Sequence, residues 1–516
     1  MTKRRAFPLL LASLFAVALG MRLPGLGDRP FHADESVHAI KFDELRRTGR
    51  YVYDPNEYHG PTIYYAALPV TLLRGHTDFV SVTEADFRLT IAWFGAAMLL
   101  WLPLFAPGLG GRAIGIAAAL FVLSPTFVYY GRYYIQETPL VFATLGLLAC
   151  GWRYVRRPSA GWAIGVGICA GLMVASKETA VLTFGAATVA AFLTGRGRAV
   201  DFGPKGRFVA LAAAAMIVTG GAFLSGFGTN PRGPIDLFAA FTPWLSRAHA
   251  TDVHLHPWHY YLRLLIWPEG QKGWPMSTEI LTVGLSFVGM AFAVKGARLV
   301  RFLAVYTLIL TVGYGVIPYK TPWCVLSFLQ GMILLAGVGA SRTIERLPKG
   351  IPRGIASLGL LAGIAHLAWQ TATVNYVHYN DPRNPYLYSP TAPETPQIAE
   401  KLLPIARSSP EGERVVIKVF STDTYYWPLP WYLRRFPNVG FWVGVPPGTE
   451  ADAPIVLASA AFDEELTQRL DATHLMTGFF ALRPGVLMQT WVRLDLWQEY
   501  LKRNPVRETP DADGPP

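Results

Sequence analysis

The chain has 516 residues, of which 52% are hydrophobic and only 16% are charged. A soluble protein of this length carries about a quarter charged residues. The composition therefore excludes an ordinary soluble enzyme and predicts a protein with many membrane-spanning helices. Three cysteines, all within apolar stretches, exclude a disulfide framework and a CxxC metal pattern.

The first twenty residues, MTKRRAFPLLLASLFAVALG, combine a basic start with an apolar run. This pattern is typical of a signal peptide, but ALGMRLPG is a poor cleavage site, so we expect a retained first helix. Apolar stretches near the length of a bilayer core then recur along the chain. They predict about eleven transmembrane helices, at residues 6–26, 86–106, 112–130, 138–155, 160–176, 179–195, 207–227, 277–296, 301–318, 322–340 and 354–374.

Basic residues mark one side of this predicted bundle. The alternating short loops carry Arg112, Arg153, Arg156, Arg157, Arg196, Arg198, Lys205, Arg207, Lys295, Arg298, Arg301, Arg342, Arg346, Lys349 and Arg353. All of these loops fall on the side of the N-terminus, as the positive-inside rule requires of a cytoplasmic face. Much of the net charge of +11 is thereby explained without nucleic acid. The pattern predicts a cell (inner) membrane protein with a cytoplasmic N-terminus.

The opposite, extracytoplasmic side receives long loops at 27–85 and 228–276, with 62–74 expected to lie along the membrane interface. Residues 1–374 thus form a predicted transmembrane domain, and 375–516 a small α/β domain outside. In this domain RVVIKVFS, VGFWVG and PIVLASA predict strands, while FDEELTQRL, capped by Asp463, and WVRLDLWQEYLKR predict helices. The end, RETPDADGPP, is typical of a disordered segment.

An acidic pair, Asp34 and Glu35, follows the first span in FHADESVHAI. Adjacent acids are common in solvated loops, which is one interpretation. The aromatic loop that follows, YVYDPNEYHGPTIYY, favours packing and adds His59 as a candidate substrate-binding residue. A carboxylate at a membrane-facing pocket can act as a general base or hold a divalent metal.

Two further outer turns carry opposite charges. YYGRYYIQETP contains Arg132, whose planar fork suits a phosphate, and Glu137. An aromatic belt with a snorkelling arginine explains the tyrosines equally well but leaves Glu137 unexplained. SKET places Lys177 next to Glu178 at membrane depth, where charge is costly unless it is paired or functional. Lys177 is either neutralised by Glu178 or available to a phosphate.

A fourth turn, PYKTPW, brackets Lys320 with two prolines and adds Tyr319 and Trp323. The prolines break the helix, so a binding turn competes with an interfacial anchor. In HATDVHLHPWHYY, the spacing of His249, His254, His256 and His259 matches no standard metal-ligand pair such as HExxH. Loop histidines are favoured there over a metal site.

Together these turns predict one outer vestibule with acidic groups (Asp34, Glu35 and Glu137) and basic groups (Arg132, Lys177 and Lys320). Cations would stabilise a departing phosphate while an acid accepts the proton of an attacking hydroxyl or amine. A leaving phosphate at membrane depth implies a lipid-borne donor.

The acidic pair, GRYYIQE and GLMVASKETA resemble motifs of the GT-C superfamily of membrane glycosyltransferases, which includes the dolichyl-phosphate-mannose protein mannosyltransferases and the aminoarabinose transferases of lipid A. YKTPW, NPYLYSPT and YYWPLPWYLRR are more narrowly similar to a bacterial and archaeal family named after an archaeal flippase-activity-associated protein. The resemblance implies a GT-C fold, a polyprenyl-phosphate sugar donor and inversion at the anomeric carbon.

The resemblance also implies roles for single residues. Asp34 matches the catalytic acid and Glu35 its neighbour, while Arg132, Lys177 and Lys320 would contact the lipid phosphate. The second loop has no evident DxD or ExD of the kind that metal-dependent oligosaccharyltransferases carry, which argues against a metal requirement. A divalent metal stays open as an alternative cofactor, with no ligands assigned. YYWPLPWYL suits either sugar contact or packing.

The lead hypothesis is therefore a hexosyl- or pentosyltransferase that moves a sugar from polyprenyl phosphate to an exported lipid, protein or glycan. One alternative is a non-catalytic accessory or flippase component that handles lipid-linked sugars. Another is an extracytoplasmic metal hydrolase built around the histidine loop.

Overall fold

A computed structural model describes residues 2–56, 59–195, 206–248, 255–268 and 278–505. The chain divides into two compact units. The first comprises Met1–Asp28, Lys41–Thr77 and Thr83–Tyr388, and the second comprises Arg29–Ile40, Asp78–Val82 and Ser389–Pro516.

The first unit is helical. Its longer helices are Thr2–Gly20, Thr62–Leu73, Glu84–Ala97, Gly111–Leu123, Glu137–Arg156, Ala160–Val174, Ala180–Thr194, Gly206–Leu224, Ile280–Ala293, Arg298–Val316, Leu326–Arg346 and Ile351–Ala372. Short helices follow at Ala106–Leu109, Pro125–Tyr130, Gly233–Ala239, Phe241–Ala248 and Tyr260–Ile266. A further helix, Ala33–Thr48, contains the acidic pair in its first turn, and that turn belongs to the second unit.

Every predicted span coincides with a helix, and the helical membrane fold is confirmed. Among the described residues, six segments are long and apolar enough to cross a membrane: Glu84–Leu109, Glu137–Arg156, Gly206–Leu224, Arg298–Val316, Pro322–Arg346 and Ile351–Val377. The other five predicted spans coincide with apolar helices of 10–17 residues. A helix of 13 residues is only about 20 Å long, shorter than a bilayer core of about 30 Å. The count of eleven crossings therefore stays a prediction.

Leu326–Arg346 is the central helix of the first unit. In the most apolar stretch of the segment Pro322–Arg346, 94% of the residues are buried inside the protein, compared with 6% in Ile351–Val377. Close packing around the central helix depends on glycines. A Cβ at Gly337 would lie 2.3 Å from the Ala113 carbonyl oxygen, and one at Gly339 would lie 2.2 Å from that of Leu285. These contacts bring the backbones of two neighbouring helices against the central one.

The second unit contains a five-stranded sheet. Its strands are β1 (Ile417–Ser421), β2 (Val439–Val443), β3 (Ile455–Ser459), β4 (His474–Arg483) and β5 (Val486–Arg493). The order is β2-β1-β3-β5-β4, with β2, β1 and β3 parallel and β5 antiparallel to both β3 and β4. Helices Ile398–Ser408, Asp463–Leu470 and Leu494–Arg503 accompany the sheet.

The prediction of an α/β domain is confirmed, with two local corrections. WVRLDLWQEYLKR is not one helix, because its first three residues end β5 and the helix begins at Leu494. Asp463 lies in the first turn of its helix, and Phe462 precedes it as the cap. The β4–β5 hairpin was not predicted. Its two-residue turn contains Gly485 with a φ of +79°, a conformation that favours glycine. The predicted disordered end, from Arg507, lies outside the described residues.

Candidate functional site

A buried ion pair in the first unit joins two of the predicted site residues. Glu137 begins the helix Glu137–Arg156, and Lys177 lies in the turn before Ala180–Thr194. The Nζ atom of Lys177 donates to Oε1 of Glu137, and both side chains are buried. Burial lowers the pKa of Lys177, but the Glu137 carboxylate, together with smaller contributions from its other neighbours, more than offsets this, so the pKa is raised overall. Lys177 is therefore held as a cation.

Glu178 does not neutralise Lys177, because its carboxylate has partners elsewhere. The Tyr53 hydroxyl donates to Oε1 at 2.6 Å, and Nδ1 of His59 lies 2.7 Å from Oε2. Burial raises the pKa of Glu178, but His59 and these hydrogen bonds outweigh it and bring the pKa to about 2. Of the two alternatives for SKET, the neutralisation of Lys177 by Glu178 is therefore wrong.

The residues after His59 are tied to the same turn through the backbone. A Cβ at Gly60 would lie 2.0 Å from the Ala175 carbonyl oxygen, so only glycine fits there. The hydroxyl of Thr62 donates to that oxygen at 2.8 Å and accepts from Ser176 Oγ at 3.0 Å. Sequence reasoning did not find this connection, because it joins segments more than a hundred positions apart.

The PYKTPW turn lies near the ion pair. Cys324, one residue beyond this turn, lies close enough to Lys177 and Glu137 for both of their charges to act on its thiol. Lys320 is buried, and its Nζ donates to the carbonyls of His256, at 3.0 Å, and Ile317. Burial lowers the pKa of Lys320.

The aromatic residues of that turn have structural contacts. Trp323 is buried, with its ring 6.3 Å from that of Tyr130, 6.0 Å from Tyr133 and 5.6 Å from Tyr388. Tyr319 forms an isolated antiparallel bridge with Leu255. The first unit thus brings together His59, Glu137, Lys177 and the turn that carries Lys320 and Trp323.

Arg132 contacts backbone carbonyls. Its guanidinium donates to the carbonyls of Arg22 at 3.2 Å, Pro24 at 2.5 Å and Gly25 at 3.0 Å. Its charged end also lies 4.9 Å from the centre of the Tyr376 ring. In this arrangement Arg132 fixes the turn after the first helix, and binding a phosphate would require it to exchange these partners.

In the second unit the acidic pair has two different environments. Glu35 is fully buried; its Oε2 accepts from the His32 backbone N–H at 3.1 Å and lies 3.9 Å from an Arg29 nitrogen. Because His32 precedes the helix and Glu35 is its third residue, this is the carboxylate half of a capping box. Asp34 has a side chain that is 47% exposed, with Oδ1 3.9 Å from Nδ1 of His32.

The surroundings of Asp34 include residues that sequence reasoning missed. Its own backbone N–H donates to His32 Nδ1 at 3.1 Å, and burial lowers the pKa of His32, which favours the neutral ring. Burial also lowers the pKa of Arg483, although the nearby carboxylates of Asp34 and Asp423 favour its charged form. The Arg483 guanidinium lies 5.1 Å from the Tyr425 ring centre. Arg483 ends β4, and no signal in the unpredicted hairpin pointed to it.

The YYWPLPWYL segment, in the same unit, makes packing contacts with the residues before the acidic helix. Trp431 is fully buried, with its ring 4.9 Å from that of Phe31. The Tyr432 hydroxyl accepts from the Phe31 backbone N–H at 2.7 Å. These contacts hold the residues just before the acidic helix.

The histidine loop is only partly described. His249 and His254 lie outside the described residues. His256 stacks on Tyr260 with ring centres 4.1 Å apart, and His259 precedes the helix Tyr260–Ile266. Within the described ranges, no group of three or more His, Cys, Asp or Glu side chains could hold a metal ion.

The chain is similar to known proteins at both the sequence and the structure level. Residues 59–221 match the family model described as dolichyl-phosphate-mannose-protein mannosyltransferase, which is less than half of the chain. No curated protein matches the sequence.

Two groups of solved structures share the fold. ArnT from Cupriavidus metallidurans, bound to undecaprenyl phosphate, superposes with a TM-score of 0.62 at 16% identity, covering 94% of this chain and 97% of ArnT. The oligosaccharyltransferase AglB from Archaeoglobus fulgidus, in complex with an inhibitory peptide and a dolichol-phosphate, superposes with a TM-score of 0.57 at 12% identity, covering 89% and 70%. The likeness to ArnT extends over nearly the whole of both chains.

Proposed function

We propose that this multi-pass membrane chain with the GT-C fold is an inverting glycosyltransferase. It would move a sugar from a polyprenyl-phosphate donor to an extracytoplasmic acceptor. The fold shared with ArnT and AglB, whose structures contain undecaprenyl phosphate and a dolichol-phosphate, supports this class of donor. The acceptor is an exported lipid, protein or glycan, and the transferred group a hexose or a pentose. The basic loops support a cytoplasmic N-terminus in the cell membrane.

The difference between Asp34 and Glu35 carries this proposal. One carboxylate of the pair is buried and used as a helix cap, while the other keeps an exposed side chain on the same rigid turn. A general base needs a carboxylate that a substrate can reach and that its neighbours orient. The exposed side chain of Asp34 meets the first condition, and its place beside the capped Glu35 supports the second, while the contacts of Glu35 favour a positioning role for it.

In the proposed reaction Asp34 accepts the proton of the acceptor hydroxyl or amine. The freed electron pair forms the new bond to the anomeric carbon from the face opposite the phosphate. The bond from that carbon to the phosphate oxygen breaks, and the lipid phosphate leaves with the electron pair. Attack from the opposite face inverts the anomeric configuration.

Lys177 and Lys320 are the proposed cations for the lipid phosphate. An ammonium group has three donors, and Glu137 uses one of those on Lys177. Two backbone carbonyls use donors of Lys320. Proposed contacts of Arg132, His59, Tyr319 and Trp323 with the donor are secondary, because binding would compete with the protein partners described above.

The deciding experiment incubates purified full-length protein with radiolabelled polyprenyl-phosphate sugars and a crude envelope acceptor fraction. Release of lipid phosphate together with label in the acceptor supports the transferase, provided that Asp34→Asn abolishes both. Donor binding without release, in wild type and variant alike, would favour a non-catalytic accessory or flippase component. Loss of activity with a chelator but not with Asp34→Asn would favour a metal hydrolase.

A further inference from the structure

A cavity of about 450 Å³ opens at one end of the first unit, away from every residue discussed above as a site. It lies where Ile280–Ala293 ends, Arg298–Val316 begins and Leu326–Arg346 ends. Its lining consists of Ala291, Phe292, Val294, Lys295, Gly296, Ala297, Val300, Val338, Arg342 and Arg346. Three of these ten residues are cations and none is acidic.

The cations come from two different elements. Lys295 lies in the turn between two helices, and Arg342 and Arg346 are one helical turn apart at the end of the central helix. The Arg346 guanidinium lies 4.4 Å from the centre of the Phe292 ring, which holds it at the cavity wall. The neighbouring acid, Glu345, is paired with Arg112 at 3.2 Å. The cavity therefore concentrates positive charge without an acidic side chain in its wall.

The backbone at this place adds to the preference for an anion. Ala297 is the N-cap of the 19-residue helix Arg298–Val316 and provides no side-chain hydrogen bond to the first turn. The first backbone N–H groups of a helix lack partners within the helix, and this end of the helix dipole is positive. Since Gly296 and Ala297 line the cavity, that end adds to the field of the three side chains.

The apolar part of the wall indicates which anion fits. Arg298–Val316 and Pro322–Arg346 are both long and apolar enough to cross a membrane, so the cavity lies at the end of two candidate spans. Val294, on its rim, is 77% exposed, and Phe292 and Val300 continue the apolar wall. Basic pockets between transmembrane helices bind the headgroups of anionic lipids.

We propose that this cavity binds the phosphate of an anionic phospholipid, with the phosphate on Lys295, Arg342 and Arg346 and an acyl chain along Phe292 and Val294. A soluble phosphate ester has the same charged group but cannot use the apolar wall. The site is independent of the glycosyltransferase assignment, because none of its residues takes part in the proposed reaction.

The test is native mass spectrometry of the full-length protein released from micelles doped with phosphatidylglycerol or phosphatidylethanolamine. The pocket variant is Lys295→Gln/Arg342→Gln/Arg346→Gln. The control, Arg153→Gln/Arg156→Gln/Arg157→Gln, removes the same charge from the end of another helix. Because each surface cation contributes several-fold to the binding of anionic lipids, retention of phosphatidylglycerol should fall at least about tenfold in the pocket variant and by less than about twofold in the control.

Three results would overturn the proposal. The first is an equal loss of phosphatidylglycerol retention in the pocket variant and the control, and the second is that the wild type retains phosphatidylethanolamine as well as phosphatidylglycerol. The third is that the wild type binds sodium pyrophosphate but does not retain phosphatidylglycerol. Should the pocket variant not yield folded protein, the single variant Arg342→Gln takes its place, with an expected loss of about threefold or more against Arg153→Gln.

Discussion

The Nδ1 atom of His59 lies 2.7 Å from Oε2 of Glu178, although 119 positions separate the two residues in sequence. The other oxygen of that carboxylate accepts from the Tyr53 hydroxyl. One buried acid thus fastens the segment before Thr62–Leu73 to the turn that carries Lys177. Stability at this junction should depend on the charge of Glu178.

We expect Glu178→Gln to destabilise the protein in a pH-dependent manner. The pKa of Glu178 falls from an ordinary 4.5 to about 2 in the folded protein. A lowered pKa of an acid stabilises the folded state, and this contribution is fully present above about pH 4.5 and is lost as the pH falls towards 2. The difference between the two pKa values of Glu178 corresponds to about 3 kcal/mol of the free energy of unfolding at pH 7, and less than about half of this is left at pH 3.

Thermal unfolding of the detergent-solubilised wild type and variant at pH 7, 5, 4 and 3 measures this difference. Tyr53→Phe is the control, since it removes one of the hydrogen bonds that lower the pKa of Glu178 but keeps the carboxylate and His59, and should therefore show a smaller pH dependence than the wild type without losing it. A wild-type advantage over Glu178→Gln that is the same at pH 7 and pH 3 would contradict the assignment.

Gly60→Ala should weaken the same junction by a different route. The added Cβ would meet the Ala175 carbonyl oxygen at 2.0 Å, and because that atom is backbone, the 59–62 segment has to move. Overpacking of this kind costs about 1–3 kcal/mol. Gly185→Ala is the matched control, because nothing lies within 4 Å of its added Cβ. A thermal midpoint that drops equally in both variants would rule out the steric explanation.

The buried pair Lys177–Glu137 should behave as a unit. Lys177→Met or Glu137→Leu alone leaves one buried charge without its partner, at a cost of about 3–5 kcal/mol. The double variant buries no charge here and should unfold at a midpoint well above that expected from the sum of the two losses. If Lys177 also binds the donor phosphate, the double variant will be folded but will bind the donor more weakly than the wild type.

Thermal unfolding and binding of a labelled polyprenyl-phosphate sugar give the two readouts. Strictly additive losses of stability would mean that the pair is not coupled. A folded double variant with unchanged donor affinity would remove Lys177 from the phosphate site and leave it a structural role.

Periodic and compositional signals explain what the sequence predicted well. Each predicted span coincides with a helix because a long apolar run has few other ways to satisfy its backbone in a bilayer. β1, β2 and β3 were found because Ile417–Ser421 and its parallel neighbours are short apolar segments between turns. The β4–β5 hairpin was missed because Gly478 and a register shift interrupt its alternation.

Long-range pairing explains what could not be predicted at the candidate site. The turns carrying Glu137 and Lys177 were identified from local sequence, but their mutual ion pair depends on how three helices pack. For the same reason the sequence suggested only the adjacent Lys177 as a partner for Glu178 and did not indicate His59. Arg483 ends a strand with an unremarkable local sequence, and only the fold of the second unit brings it near Asp34.

The last prediction distinguishes the roles of Asp34 and Glu35, the two residues of the acidic pair. Asp34→Asn removes the proposed base but leaves an exposed side chain of the same size. Transfer should therefore fall by about 10²–10⁴-fold while the thermal midpoint stays unchanged. Glu35→Gln replaces the buried carboxylate that accepts from the His32 N–H and faces Arg29. Losing a charged, buried hydrogen bond should cost about 1–3 kcal/mol of stability.

Transfer per mole of folded protein and thermal unfolding are measured on the same preparations of both variants. Glu35→Gln should keep much of its transfer activity at temperatures where it remains folded, because its carboxylate holds the turn and does not take the proton. Asp34→Glu offers a further check, since it keeps a base but moves it by one methylene, and should recover part of the activity lost in Asp34→Asn. If Glu35→Gln abolished transfer at wild-type stability while Asp34→Asn remained active, the two roles would have to be exchanged.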